Sequence, residues 1–254
     1  MSQSQHEFVA SHYAPRAAAY VASAVHAQGE DLEQLAALVK ARPGARLLDL
    51  GSGGGHLSYY AAPHAASVTA YDLSDEMLAA VAQVAAERGL GNIATRQGAV
   101  EALPFESESF DIVASRFSAH HWHDVPAALR EARRVLAPGG LLVVIDIVSP
   151  GPPLLDTHFQ AIELLRDPSH VRDYSAAQWL AMTSEAGFMP QRVVHRRLRI
   201  EFASWIKRMA TAPEHVAAIR SLQALASEEV RRHFEYEPDG SFTMDAMTLE
   251  AVPA

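Results

Sequence analysis

Four glycines stand among small residues in Asp49-Leu50-Gly51-Ser52-Gly53-Gly54-Gly55-His56, directly after the apolar stretch that begins at Arg46. Glycines at such a place accept positive φ and let a ligand lie against backbone N–H groups with no Cβ in the way. The chemistry implied is a cradle for a nucleotide-like cofactor, and the glycine register bears on which one. A dinucleotide fingerprint needs Gly-x-Gly-x-x-Gly, but counting from Gly51 and Gly53 puts His56 at the third position. A nicotinamide-dependent oxidoreductase is therefore the weaker alternative. Asp72 lies about 20 residues beyond the loop, where a carboxylate can accept from two ribose hydroxyls. Leu73 and Met77 behind it are placed to flank an adenine, although Met77 on an amphipathic helix fits the core equally well.

A second group of residues could handle protons. His120 and His121 lie in Ser118-Ala-His-His-Trp-His-Asp124, and an imidazole with an unperturbed pKa near 6.5 can take a proton from a phenol, an enol or an amine. The competing reading is that the pair packs against and caps the helix that follows. With His123 and Asp124 the cluster also invites a metal, but adjacent side chains diverge and none is expected. Tyr13 and Tyr20, in an Ala-rich helical stretch, could close over a cofactor or simply anchor that stretch to the sheet; Tyr20 is the stronger candidate.

The elements that must position these groups are legible as alternating apolar runs and helical stretches between residues 45 and 147, the pattern of βαβ units and a parallel sheet. Strands are expected at 45–50, 67–72, 92–97, 110–115 and 140–147. Ser74 should cap a helix reaching about Arg88, stopped by Gly89, and Asp124 with Pro126 should open another that runs to Pro138-Gly139-Gly140. The turn-rich Ser149–Pro153 introduces a segment to about Tyr174 that reads as an inserted lid. A helix at 175–186, a strand at 190–200, a helical region at 202–235, a turn at Pro238-Asp239-Gly240 and a final strand at 241–249 complete the chain. On the lid, Arg166-Asp167-Pro-Ser-His170-Val-Arg172-Asp173-Tyr174 could recognise an anionic or polar substrate and exclude water on closing, or be a solvated loop. Trp205 and Arg208 are candidate cavity walls.

The spacing Asp49-x-Gly51-x-Gly53-x-Gly55 resembles the first motif of the class I S-adenosylmethionine-dependent methyltransferases. Further segments resemble that family in the same order. They are Asp72 after the second strand; Gly98-Ala-Val-Glu-Ala-Leu-Pro-Phe105 after the third; Phe110–Phe117 with the histidine-rich loop; and Ala128–Gly140 before the fifth. The resemblance covers 45–147 and comes close to the ubiquinone and menaquinone methylase-like group of small-molecule enzymes. It implies a Rossmann-like open seven-stranded sheet, mostly parallel with an antiparallel final strand, helices on both faces and helical lid insertions. It implies S-adenosylmethionine as cofactor, held by Tyr20, Asp49, Gly51, Ser52, Gly53, Gly55, His56, Asp72, Leu73, Met77, Ala99, Val100, Ser115 and Arg116. Transfer to a small-molecule acceptor would be an in-line displacement that needs no metal, with His120 or His121 removing a proton where required. One position departs from the family: Ala99 stands where an Asp commonly meets the adenine amino group, which keeps a non-catalytic S-adenosylmethionine-binding protein in view. Glu101 could support the loop or be solvated.

Bulk properties narrow the partners. A chain of 254 residues, 49% hydrophobic, can bury one sizeable core, and one domain is expected: a cap at 1–44, a cofactor core at 45–147, and lid elements at 148–175 and 201–236. The balance of 21 basic against 30 acidic residues gives a net charge of −9, which disfavours nucleic acid and anionic membranes. The absence of cysteine removes disulfides, thiolate metal sites and a cysteine nucleophile. Neither a signal peptide nor an apolar span is visible, so a cytoplasmic protein is expected, with a homodimer the one assembly left open.

Overall fold

The computed structural model describes residues 3–17, 20 and 28–254. The chain runs α1 (Gln5–Tyr13), a 3-10 turn (Ala14–Arg16), α2 (Glu30–Lys40), β1 (Arg46–Leu50), α3 (His56–Ala61), β2 (Ser67–Asp72), α4 (Asp75–Glu87), β3 (Ile93–Gln97) and β4 (Phe110–Arg116). A second 3-10 turn (Ala119–His121) leads to α5 (Val125–Val135), β5 (Leu136–Ile147), α6 (Pro153–Arg166), α7 (Ala176–Glu185) and β6 (Phe188–Ile200). The last elements are α8 (Phe202–Met209), α9 (Pro213–Leu225), α10 (Glu228–Phe234) and β7 (Phe242–Pro253). Among the described residues no helix is long and apolar enough to cross a membrane.

The strands form one sheet in the order β3-β2-β1-β4-β5-β7-β6. β1 to β5 pair in parallel, whereas β7 runs antiparallel to both β5 and β6. Because both faces are covered, successive residues of one strand enter different cores: Leu48 and Leu50 pack on one side with α5 and Trp179 of α7, and Leu47 on the other with Leu32, Leu35 and Val39 of α2. This two-sided burial is why the central strands read as unbroken apolar runs. Strand order reverses between β1 and β4, so a crevice opens at their carboxyl ends.

Local chemistry sets the helix ends. Ser74 caps α4 by accepting from Met77 N at 3.2 Å, and Asp124 caps α5 by accepting from Ala127 N at 2.8 Å. Ser175 and Gln178 form a reciprocal capping box on α7. Two expectations shift. α5 stops at Val135 rather than at the Pro138 turn, because Leu136 already pairs with Phe110 and residues 137–140 bulge out of the ladder before Leu141 meets Ile112. The final strand continues past 249 to Pro253, held by the long ladder with β6 from Ile200↔Phe242 to Phe188↔Pro253.

The region expected to be helical from 202 to 235 is three helices, interrupted where Ala210 turns left-handed and again where Ser227 precedes α10. They sit in the β6–β7 connection. Because Ala246 is the last residue of β7 opposite β5, at Ile147, Phe242 to Asp245 run past the sheet's carboxyl edge and carry these helices over it. There Phe202, Trp205, Ile219, Val230, Phe234 and Phe242 join Leu155, Phe159 and Ile162 of α6 in a separate apolar core. The lid segment thus owns a packed interior.

Candidate active site

The crevice between β1 and β4 continues under the lid helices as one cavity. Counting the solvent at its open mouth, it spans about 1490 Å³.

At the first end, the turn after β1 is shaped by backbone bonds: Gly51 N and Ser52 N both donate to Tyr71 O, at 2.8 and 3.0 Å. Gly51 has φ +66°, and a Cβ there would fall 1.8 Å from Ser118 Oγ, so the loop after β4 closes against it only because the residue is glycine. Gly53 N donates to Asp72 Oδ2 at 2.8 Å, and Ser74 N to Asp72 Oδ1 at 3.0 Å. Each carboxylate oxygen keeps a second lone pair for a ligand hydroxyl. Burial raises the Asp72 pKa, against the pull of those amide bonds. Asp49 is wholly buried; burial lifts it to about 7, opposed by the Ser58 hydroxyl that donates to it at 2.7 Å.

Asp49, Gly51, Ser52, Gly53, His56, Asp72, Leu73, Met77, Val100, Arg116 and Tyr20 all line this cavity. Tyr20 donates its hydroxyl to Met209 Sδ at 3.1 Å while its carbonyl meets His56 Nε2 at 3.0 Å. Arg116 is ion-paired with Asp31. Three of the expected residues lie elsewhere. Gly55 caps α3 and faces Tyr59 and Val81, where a Cβ would stand 2.7 and 2.9 Å from their side chains. Ala99 is turned so that its carbonyl accepts from Tyr71 Oη at 3.2 Å. Ser115 is buried and donates to Leu50 O at 2.9 Å, tying β4 to β1.

Whether the residues fit S-adenosylmethionine can be judged from groups the fold leaves unsatisfied. The Ser52 hydroxyl is buried on the wall without a partner, and the space a Cβ of Gly53 would enter is empty within 4 Å. A polar donor, an open backbone approach and the Asp72 carboxylate at a strand end suit an adenosyl ligand with a polar tail.

The second end is built by the loop after β4, α6 with the loop behind it, and α8. His120 Nδ1 lies 2.7 Å from Asp146 Oδ1; the other oxygen of Asp146 accepts from Ala119 N at 2.9 Å. Burial opposes charge on this imidazole, but the Asp146 carboxylate outweighs it and lifts the pKa to about 9. His120 is thus a cation at neutral pH. His121 is the reverse: burial and the neighbouring charge of His120 push it down to about 3. Its Nε2 meets Tyr13 Oη at 2.8 Å and its Nδ1 faces Ser169 O at 3.3 Å, so both nitrogens are engaged. Neither histidine caps α5, which is the work of Asp124. His123 N and Asp124 N donate to Glu101 at 3.0 and 3.2 Å, giving Glu101 a part in holding this loop.

The lid loop is fastened to the same place. Val171 N and Arg172 N donate to His120 O at 2.8 and 3.2 Å. Asp167 collects Tyr13 Oη at 2.7 Å and sits 3.3 Å from His12 Nε2; burial would raise its pKa, yet these partners hold it far below the carboxylate range. The segment read as a solvated or substrate-binding loop is therefore mostly interior, and residues of α1 that gave no motif, Gln5 and His12, clamp it.

Glu163, His170 and Asp173 present ligand-type atoms within 4.8 Å of one another, a grouping the sequence reading did not foresee. One nitrogen of His170 is committed, while its Nδ1 is buried without a partner. Gln160 spends its amide on Asp156 and Asp173 O, so its Oε1 accepts from His170 Nε2–H at 3.0 Å and that nitrogen has no lone pair to give. Burial raises the pKa of both Glu163 and Asp173, which sit beside Arg166 and His120.

An open 3-2-1-4-5-7-6 sheet with a cofactor crevice at its switch point defines a Rossmann-like methyltransferase fold. Comparison with known proteins agrees. Residues 48–144 match the family model described as a methyltransferase domain. YafE of Escherichia coli (strain K12), an uncharacterised protein, is 50% identical over 197 residues, covering 78% of this chain and 95% of that one. The uncharacterised methyltransferase YcgJ of Bacillus subtilis (strain 168) is 37% identical over 210 residues, 83% of each chain. The crystal structure of YcgJ superposes with a TM-score of 0.85 at 34% identity, over 88% of this chain and 98% of that one. The ubiquinone/menaquinone biosynthesis C-methyltransferase UbiE of a Shewanella species is 37% identical over 119 residues, 45% of this chain and 47% of that one. The chain belongs to the class I S-adenosylmethionine-dependent methyltransferases, and S-adenosylmethionine is its cofactor.

Proposed function

We propose that the protein methylates a small-molecule acceptor held between the lid helices and His120, with the cofactor confined to the β1–β2 end of the same cavity. The observation that carries this reading is the cavity's continuity: its lining runs from Asp72 and Met77 to His120, Trp205 and Arg208. In this arrangement Asp72 accepts from the ribose hydroxyls, Leu73, Met77 and Val100 enclose the adenine, and Gly51, Ser52, Gly53, His56, Arg116 and Tyr20 surround the methionyl part. When bound, the cofactor supplies a sulfonium methyl carbon open to in-line attack by a lone pair.

The residues of this chain orient the nucleophile and exclude water. Of the two histidines, His120 is the one in position to act, because Nδ1 is committed to Asp146 and Nε2 is left for the cavity, whereas both nitrogens of His121 are used. As an imidazolium below about pH 9, His120 donates Nε2–H to an acceptor oxygen and favours its ionised, nucleophilic form; proton removal by His120 itself takes over only above that pH. The segments 148–175 and 201–236 form the acceptor's walls within one domain. The test is release of S-adenosylhomocysteine from S-adenosylmethionine across a panel of phenols, enols, amines and acids. Turnover that His120→Gln lowers at least tenfold supports the reading; turnover unaffected by that change removes His120 from it.

A further inference from the structure

Arg208, on α8, lines the cavity beside Trp205 and Arg166. Among the described residues it has no ion pair and no hydrogen bond, and its Nε is buried without a partner. Its neighbours do not neutralise it. Glu163 lies 3.8 Å from Arg166, which is itself tied by Nε to Trp205 O at 3.4 Å, and Asp146 is committed to His120. Burial first and then the charge of Arg166 weigh against the charged form of Arg208, and Glu163 offsets them only in part. A guanidinium cannot shed its proton at ordinary pH, so a half-buried, unpaired one carries a standing cost that an anion would relieve. Ile147, Leu198, Ile200, Trp205 and Met244 give the same cavity an apolar wall.

We infer that the methyl acceptor is an amphipathic acid, its oxyanion paired with Arg208 and its apolar body laid against that wall. The inference rests on the acceptor site proposed above and names its substrate class. The planar fork of an arginine suits a carboxylate in bidentate contact. The group that is methylated is separate from this anchor and lies toward His120. Arg208 belongs to the β6–β7 side of the cavity, but Tyr20 reaches Met209 next to it, so the cofactor's own carboxylate is the competing partner, which the S-adenosylhomocysteine titration separates from the acceptor.

The experiment is calorimetric titration of the full chain, saturated with S-adenosylhomocysteine, with octanoate, octan-1-ol and inorganic phosphate. Octanoate is expected to bind at least tenfold more tightly than either of the others. Arg208→Gln should erase that preference and Arg208→Lys retain part of it, with S-adenosylhomocysteine affinity and circular dichroism unchanged in both. Equal binding of octanoate and octan-1-ol, or no binding of octanoate, overturns the anionic anchor. Phosphate binding as tightly as octanoate overturns the apolar half. Loss of S-adenosylhomocysteine affinity in Arg208→Gln reassigns Arg208 to the cofactor. Failure of the wild-type chain to bind S-adenosylhomocysteine at all is a different result, and defeats the cofactor placement itself.

Discussion

At the scale of single residues, the site is governed by which groups can share charge after leaving water. His120 and His121 are adjacent in sequence and opposite in behaviour, one cationic against Asp146 and one neutral against Tyr13. The sign of the pH effect follows. His120 has a folded pKa of about 9, above the roughly 6.5 of an unfolded chain, so its ion pair contributes fully below about pH 6.5 and is lost as the pH rises through 9. Thermal unfolding of wild type and His120→Gln between pH 6 and 10 should therefore show a gap that narrows as the pH rises; a constant gap would contradict the pair. The histidine loop was legible as a proton-handling candidate, but nothing local told the two rings apart. Asp146 and Asp167, which decide the matter, lie on other elements and carry no motif. Ala99 and Ser115, which the motif puts near the cofactor, also have framework bonds the sequence did not reveal, with the Tyr71 hydroxyl on the Ala99 carbonyl and the Ser115 hydroxyl on the Leu50 carbonyl.

At the scale of elements, two features position the site. The first is the turn after β1, where the left-handed Gly51 lets Ser118 approach. Gly51→Ala introduces both backbone strain and a clash, and should cost about 1–3 kcal/mol of stability together with cofactor binding, as read by denaturant unfolding and calorimetry. An unperturbed variant would show that the loop after β4 does not close on this turn. The second is the lid core. Phe159 is fully buried and stacked on Phe234 at 5.6 Å, so Phe159→Ala should destabilise the protein by about 3–5 kcal/mol. It should leave S-adenosylhomocysteine affinity close to wild type, because that core touches α6 and α8–α10 and not the glycine turn. Equal loss of both would mean that the lid and the cofactor cradle are one unit. The sequence showed 202–235 as one helical region and the stretch before Tyr174 as an insertion. That the lid has its own interior was not visible, since it depends on β6 and β7 extending beyond β5, and the length of a strand is set by its partner.

At the scale of the whole molecule, the sheet divides the labour. The strands β3-β2-β1-β4 and β5 present the cradle that resembles its family segment by segment, and the β7-β6 edge with its connecting helices, which the proposal makes the acceptor side, has no family motif. This accounts for how unevenly the sequence could be read: backbone groups and one carboxylate can recognise a common cofactor through a fixed spacing, whereas the walls proposed for the acceptor come from scattered side chains such as Arg166, Trp205, Arg208 and Met244. The net charge of −9 does not oppose an acidic small ligand, because local pairing in a buried cleft outweighs a screened distant field.

The measurement that bears most directly on the account is calorimetric titration of wild type and Asp72→Ala with S-adenosylhomocysteine, with NAD as the control. Wild type should bind S-adenosylhomocysteine in the micromolar range and NAD not at all, and Asp72→Ala should keep its circular dichroism and lose at least tenfold in affinity, the scale of a charged hydrogen bond worth about 1.5–3 kcal/mol. Undiminished binding in Asp72→Ala, or binding of NAD in place of S-adenosylhomocysteine, would contradict the placement of the cofactor on which the rest depends.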